Sequence, residues 1–141
     1  MASPSPGEAS SAAGGARAGR PEPPGEPLVP HGMSVVVNAP AVFRFTADAC
    51  PERHLAAAGW LGADVGGAAP NDAGEILARH LVALMQRTGI PNGCGGVGYS
   101  ASDAAALATG AWAQQRLIRN APKPVDEATL GRLFANAMRY W

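Results

Sequence analysis

The sequence predicts an all-α domain of about five helices behind a disordered leader. Apolar residues recur at spacings of three and four through Ile76, Leu77, Leu81, Leu84 and Met85, and again through Leu130, Leu133, Phe134, Ala137 and Met138. That is the period of a helix with one buried face. Start and stop signals bracket the stretches: Asn71 with Asp72 and Glu75 ahead, Gly89 and Pro91 behind, then Ser100 with Asp103, then Asp126. Abundant alanine and glycine with few aromatic residues permit helices to pack closely.

Residues 1–26 are small residues, proline and glycine with no large apolar side chain after Met1. Such a segment cannot bury enough surface to offset the entropy of ordering it, so disorder is expected, with a domain over 27–141. No apolar core of a secretory signal is present. Arg17, Arg20 and the serines suit a mitochondrial transit peptide, whereas Glu8, Glu22 and the prolines spoil its amphipathic helix.

From Ser34 to Phe45 the chain is apolar and mostly buried in expectation, with Pro40 placed to kink or restart a helix. Val35, Val36 and Val37 favour a strand by propensity, so the residues alone leave this segment open. Pro51 suits a first helical turn running to about Ala58 or Leu61, before a loop from Gly62 to Pro70. The marked helix from Asn71 ends at Gly89. Ser100 and Asp103 form a capping box with aspartate in the usual glutamate position, opening a helix to about Gly110. Trp112 to Ile118 either continues that helix or forms a separate turn. Pro122 and Pro124 make a rigid connector, and Asp126 caps a last helix whose apolar stripe extends to Trp141.

Lysine plus arginine equals aspartate plus glutamate at 11 each, and no basic stripe appears, which disfavours nucleic acid and anionic membranes as partners. Apolar runs fall far short of the roughly 20 residues of a membrane-spanning helix. Cys50 and Cys94 stand far apart without a CxxC pair, which favours free thiols in a reducing compartment. There is no nucleophile elbow, Walker lysine, HExxH or zinc-type cysteine–histidine spacing. Gly93-Cys94-Gly95-Gly96-Val97-Gly98 matches G-x-G-x-x-G formally, but Thr88 to Asn92 is not the buried strand that fingerprint needs, so a flexible loop is expected.

His31 beside Gly32 is the candidate site. Imidazole is the commonest metal ligand near neutral pH, and glycine lets the backbone turn tightly or a ligand approach. His54 reads as a surface residue and His80 as a satisfied or partly exposed core histidine; neither they nor Asp48, Asp64, Asp72 and Asp103 show ligand spacing with His31.

The stretch PLVPHGMSVVVNAPAVFRFTA, continued by Pro51-Glu52-Arg53-His54-Leu55, Leu61-Gly62-Ala63-Asp64, Val97-Gly98-Tyr99-Ser100 and the closing Pro122/Pro124 segment, resembles the C-terminal part of the iron-containing (group III) alcohol dehydrogenase family. The resemblance runs from about Pro27 to the C-terminus and decides for helix over Ser34 to Phe45. It implies that His31 is the last of three metal-binding histidines, in a Pro-His-Gly motif at a helix start. It also implies iron or another divalent metal and an NAD-type nicotinamide in the complete enzyme. Hydride would pass between a hydroxy acid and an oxo acid, 4-hydroxybutyrate and 2-oxoglutarate, in the mitochondrion or alternatively the cytoplasm. The family's nucleotide-binding domain and other ligands do not precede His31 here, as a truncated gene model, an alternative start or a degenerate copy would give. Little activity is therefore expected of the chain alone, and no catalytic residue is assigned. A non-catalytic helical module, a homo-oligomer, or docking to a full-length relative are the partner arrangements considered.

Overall fold

The computed structural model describes residues 29–141; the leader read over 1–26 and its boundary lie outside the described residues. Among the described residues there are six α-helices and no strand. They are α1 (His31–Thr46), α2 (Pro51–Trp60), α3 (Ala73–Thr88), α4 (Ala104–Trp112), α5 (Gln115–Ile118) and α6 (Glu127–Ala137). The Trp112 to Ile118 segment thus divides between the end of α4 and the separate single-turn α5. No described helix is long and apolar enough to cross a membrane.

Helix α1 settles the valine run. Val37 is 1 % exposed while Val35 is 54 % exposed, so burial follows helical register and tertiary packing overrides strand propensity. The helix passes through Pro40 without restarting, and Pro40 is itself buried. Beside it the Tyr140 hydroxyl donates to the Val37 carbonyl at 3.0 Å and accepts from the Ala41 amide at 3.3 Å, standing at the rung next to the one proline cannot make.

Helix α3 lies against α1 and α2. A side chain at Gly74 would come within 2.8 Å of Ala47 Cβ and 3.2 Å of Arg44 Cα, so the α1–α3 approach depends on glycine there. Leu77, Ala78 and Met85 are buried beneath it. Asn71 is not its cap. Pro70 fixes a 3-10 turn over Pro70–Asp72 that runs directly into α3, which leaves Asn71 exposed inside the turn and no side-chain cap bond at Asp72. At the other end Gly89 takes the left-handed conformation (φ 70°) and the Ile90 amide returns to the Met85 carbonyl at 2.9 Å, as expected of a terminating glycine.

The Ser100–Asp103 capping box forms, with the Ser100 amide donating to Asp103 Oδ2 at 2.7 Å, and Asp126 Oδ1 accepts from the Thr129 amide at 2.7 Å at the start of α6. Leu130 and Ala137 are buried along the stripe of α6, but the helix ends at Ala137 and Trp141 remains 39 % exposed beyond it. Val37, Ala41, Cys94 and Ala137 form a core cluster where α1, the glycine-rich loop and α6 meet.

Candidate functional site

His31 is the first residue of α1 and is exposed. Pro30 enters in extended geometry (φ −54°, ψ 141°), the Ser34 amide bonds the Pro30 carbonyl at 3.0 Å, and Ser34 Oγ donates to the His31 carbonyl at 2.7 Å. These bonds hold the backbone of the first turn. Its imidazole has no hydrogen-bond partner among the described residues, and a side chain added at Gly32 would meet nothing within 4 Å. Among the described residues the helix start therefore carries an exposed imidazole without a hydrogen-bond partner.

The other two histidines are committed. His54 is 6 % exposed, which overturns its reading as a surface residue. Its ring stands edge-on to Phe43 at 5.6 Å, with Nδ1 2.9 Å from the Cys50 carbonyl and Nε2 3.0 Å from Thr46 Oγ1. A carbonyl only accepts, so Nδ1 carries the hydrogen that meets Cys50, while Thr46 Oγ1 stands 3.0 Å from both Nε2 and the Val42 carbonyl and its single hydrogen serves one of them at a time. The polar neighbours Glu52 and Arg53 concealed this in the sequence: they occupy the outer face of α2 while His54 turns inward. His80 is half-buried, with Nε2 2.7 Å from the Leu61 carbonyl, tying α3 to the end of α2. That is the satisfied histidine expected.

Carboxylates are likewise engaged locally. Asp48 takes an ion pair from Lys123 at 2.6 Å, Asp64 accepts from the Gly66 amide at 2.9 Å, and Asp103 serves the capping box. Among the described residues no group of three or more histidine, cysteine, aspartate or glutamate side chains could hold a metal ion. A protein metal site usually has three or four converging ligands. The described donor set therefore does not fit a complete coordination sphere.

The glycine-rich run is a loop without a preceding strand, as expected, yet its glycines have a packing role. The Cys94 amide donates to the Ala137 carbonyl at 2.8 Å and the Gly95 amide to the Met138 carbonyl at 2.9 Å. A side chain at Gly95 would lie 2.8 Å from the Met138 carbonyl oxygen, and one at Gly96 2.8 Å from Pro91 Cβ. Gly93 adopts φ 65° with its α-carbon directly against the Ala137 carbonyl. Asn92 completes this clasp: its Oδ1 accepts from the Tyr140 amide at 2.7 Å and its Nδ2 donates to the Trp141 carbonyl. The backbone approach that a phosphate would need is used instead to dock the end of α6.

The family described as Fe-containing alcohol dehydrogenase family, C-terminal, matches residues 22–138. A probable mitochondrial hydroxyacid-oxoacid transhydrogenase of Dictyostelium discoideum is 43 % identical over 111 residues, covering 79 % of this chain and 20 % of that protein. Mitochondrial hydroxyacid-oxoacid transhydrogenases of Xenopus laevis and Homo sapiens are each 45 % identical over 115 residues, covering 82 % of this chain and 25 % of theirs. The chain thus spans 20–25 % of the length of these relatives. A crystal structure of 1,3-propanediol oxidoreductase superposes with a TM-score of 0.69 at 26 % identity, covering 77 % of this chain and 28 % of that one. The shared helical architecture and a family match that spans His31 and the glycine-rich loop leave one assignment: the chain belongs to the Fe-containing alcohol dehydrogenase family, of which it carries the C-terminal region.

Proposed function

We propose that this chain is the C-terminal helical part of a mitochondrial oxidoreductase of the hydroxyacid-oxoacid transhydrogenase kind, with residues 27–141 as its structural unit. In that reading hydride passes between 4-hydroxybutyrate and 2-oxoglutarate, giving succinic semialdehyde and 2-hydroxyglutarate, with a nicotinamide as carrier. The observation that supports it most is 43–45 % identity to transhydrogenases of this name across about four-fifths of the chain. His31, uncommitted at the head of α1, is the residue proposed to give one ligand to iron or another divalent ion.

The chemistry such an ion supplies when bound is polarisation of the alcohol oxygen. The described residues themselves contribute the exposed imidazole and the rigid helix start that aims it. They contain no complete ligand set and no strand on which a nucleotide could rest, so the 141-residue chain alone is expected to be inactive. Purified chain supplied with divalent iron, NAD, 4-hydroxybutyrate and 2-oxoglutarate should form no 2-hydroxyglutarate above a no-enzyme control. Robust turnover would refute the reading.

A second reading, a non-catalytic helical module, draws on Val35, Val36 and Val42, which are 54 %, 36 % and 37 % exposed along α1. Apolar surface of that kind marks a docking face. Pull-down against a full-length relative and size-exclusion chromatography distinguish the two readings: a monodisperse monomer without binding removes the module.

A further inference from the structure

The loop between α3 and α4 carries Asn92-Gly93, the one asparagine of five in the sequence that is followed by glycine. An asparagine side chain is covalently held within reach of the next residue's main-chain nitrogen, and a glycine there has no side chain to obstruct the approach. Whether that nitrogen is free decides whether it can act. Each main-chain amide from Cys94 to Tyr99 has a carbonyl acceptor at 2.8–3.2 Å. The Gly93 amide has none among the described residues, although Gly93 is buried, and folds rarely leave a buried amide unpaired. At the other asparagines the following nitrogen is engaged. The Asp72 amide donates to the Ala69 carbonyl and the Ala121 amide to that of Ile118, each at 3.0 Å, while Asn38 and Asn136 lie inside α1 and α6.

The carbon that such a nitrogen would attack is prepared by the same clasp. Asn92 Oδ1 accepts from the Tyr140 amide at 2.7 Å and stands 3.4 Å from the Trp141 amide. Donors on that oxygen draw electrons from Cγ and stabilise the negative charge that builds there when a nucleophile adds. Asn92 is half-buried and its partner Trp141 is exposed, so water reaches the side chain. We propose that Asn92-Gly93 is a site of spontaneous covalent modification, deamidation through a succinimide, which unfastens the end of α6. The Gly93 nitrogen gives its proton to hydroxide and adds to Asn92 Cγ; the Cγ–Nδ2 bond breaks, and Nδ2 takes up a proton and leaves as ammonia. Water then opens the ring at Cγ, giving aspartate, or at the main-chain carbonyl of residue 92, giving isoaspartate. No atom is oxidised or reduced. Aspartate sets a charged oxygen where Nδ2 donated to the Trp141 carbonyl. Isoaspartate does more, because it routes the main chain through Cβ and Cγ and lengthens it by one carbon. Gly93, whose α-carbon lies directly against the Ala137 carbonyl, must then move and draw the Cys94 and Gly95 amides away from Ala137 and Met138.

The test keeps the full 141-residue chain folded at mildly alkaline pH in water labelled with heavy oxygen and follows it by peptide mapping with mass spectrometry. Asn92 should exchange its amide nitrogen for labelled oxygen at least about tenfold faster than Asn38, Asn71, Asn120 or Asn136, since those sites must first break a hydrogen bond. In urea the gap should narrow, because unfolding frees the nitrogens that follow the other asparagines. N92Q, whose longer side chain must close a larger ring, should release no ammonia at this position, and circular dichroism checks that it folds. The converted chain should unfold at lower urea than the fresh one and show displaced Tyr140 and Trp141 amide resonances in NMR spectra. N92D, which reproduces the aspartate product without the added carbon, should show a smaller change. An intact Asn92 in the folded chain, equal or faster reaction at another asparagine, a gap that urea leaves unaltered, or a converted chain as stable as the fresh one would each overturn the proposal.

Discussion

Replacing Tyr140 with phenylalanine removes one oxygen and leaves the ring in the cluster with Val37, Ala41 and Cys94. That oxygen serves two main-chain groups of α1, the Val37 carbonyl at 3.0 Å and the Ala41 amide at 3.3 Å. Both sit beside Pro40, which has no amide to give the Val36 carbonyl, so the helix is already short of one bond in this turn. A hydrogen bond of this kind contributes about 1 kcal/mol net, and a buried group left without a partner costs about 1–3 kcal/mol. The site is partly buried, which places Tyr140→Phe at about 1.5–3 kcal/mol. For a domain of this size that corresponds to a fall in Tm of roughly 5–15 °C. Urea unfolding followed by circular dichroism, with a Pro40→Ala/Tyr140→Phe cycle, gives both the cost and its origin. Restoring the amide at position 40 should reduce the cost of losing the hydroxyl. A loss below about 0.3 kcal/mol in the single variant would refute the bridging role assigned to Tyr140.

The clasp makes a second prediction: Gly93→Ala requires an L-residue at φ 65° with its β-carbon against the Ala137 carbonyl, and should cost more than about 2 kcal/mol in urea unfolding. Gly32→Ala, whose β-carbon meets nothing within 4 Å, should be neutral or stabilising by up to about 1 kcal/mol. Burial pushes the Cys94 thiol up to about 11 from 9.0 and, chiefly, the Tyr140 hydroxyl up to about 12 from 10.0. A raised pKa in the fold means that the unfolded chain releases its proton first. The stability these groups confer is therefore complete below about pH 9 and falls as pH rises through 9–12. A denaturation series from pH 8 to 11 should show that decline, and Cys94→Ala should flatten its first part.

Local signals made much of the fold legible: Gly89, the Ser100–Asp103 box and Asp126 act where their chemistry places them, because caps and terminators work within a few residues. The first helix was not legible from propensity, since only tertiary contact with α3 and α6 determines that Val37 turns inward while Val35 does not. Asn71 failed as a cap because Pro70 started the turn one residue earlier. His54 and the glycine run share a different difficulty: their roles are set by carbonyls of Cys50, Ala137 and Met138, and no side-chain pattern announces a carbonyl. His31 stood out as a residue type beside glycine, yet its freedom from partners is visible only once the histidines at 54 and 80 are seen to be engaged.

That difference among three imidazoles is the most direct point of attack. Two-dimensional NMR of the histidine ring nitrogens in the full chain, titrated with Zn²⁺, should move the His31 resonances alone, with weak affinity that His31→Ala abolishes. His54 and His80, held by Cys50, Thr46 and Leu61, should stay in place. If either of those two rings binds the ion first, or if His31 proves indifferent to it, the assignment of His31 as this chain's contribution to a metal centre is wrong.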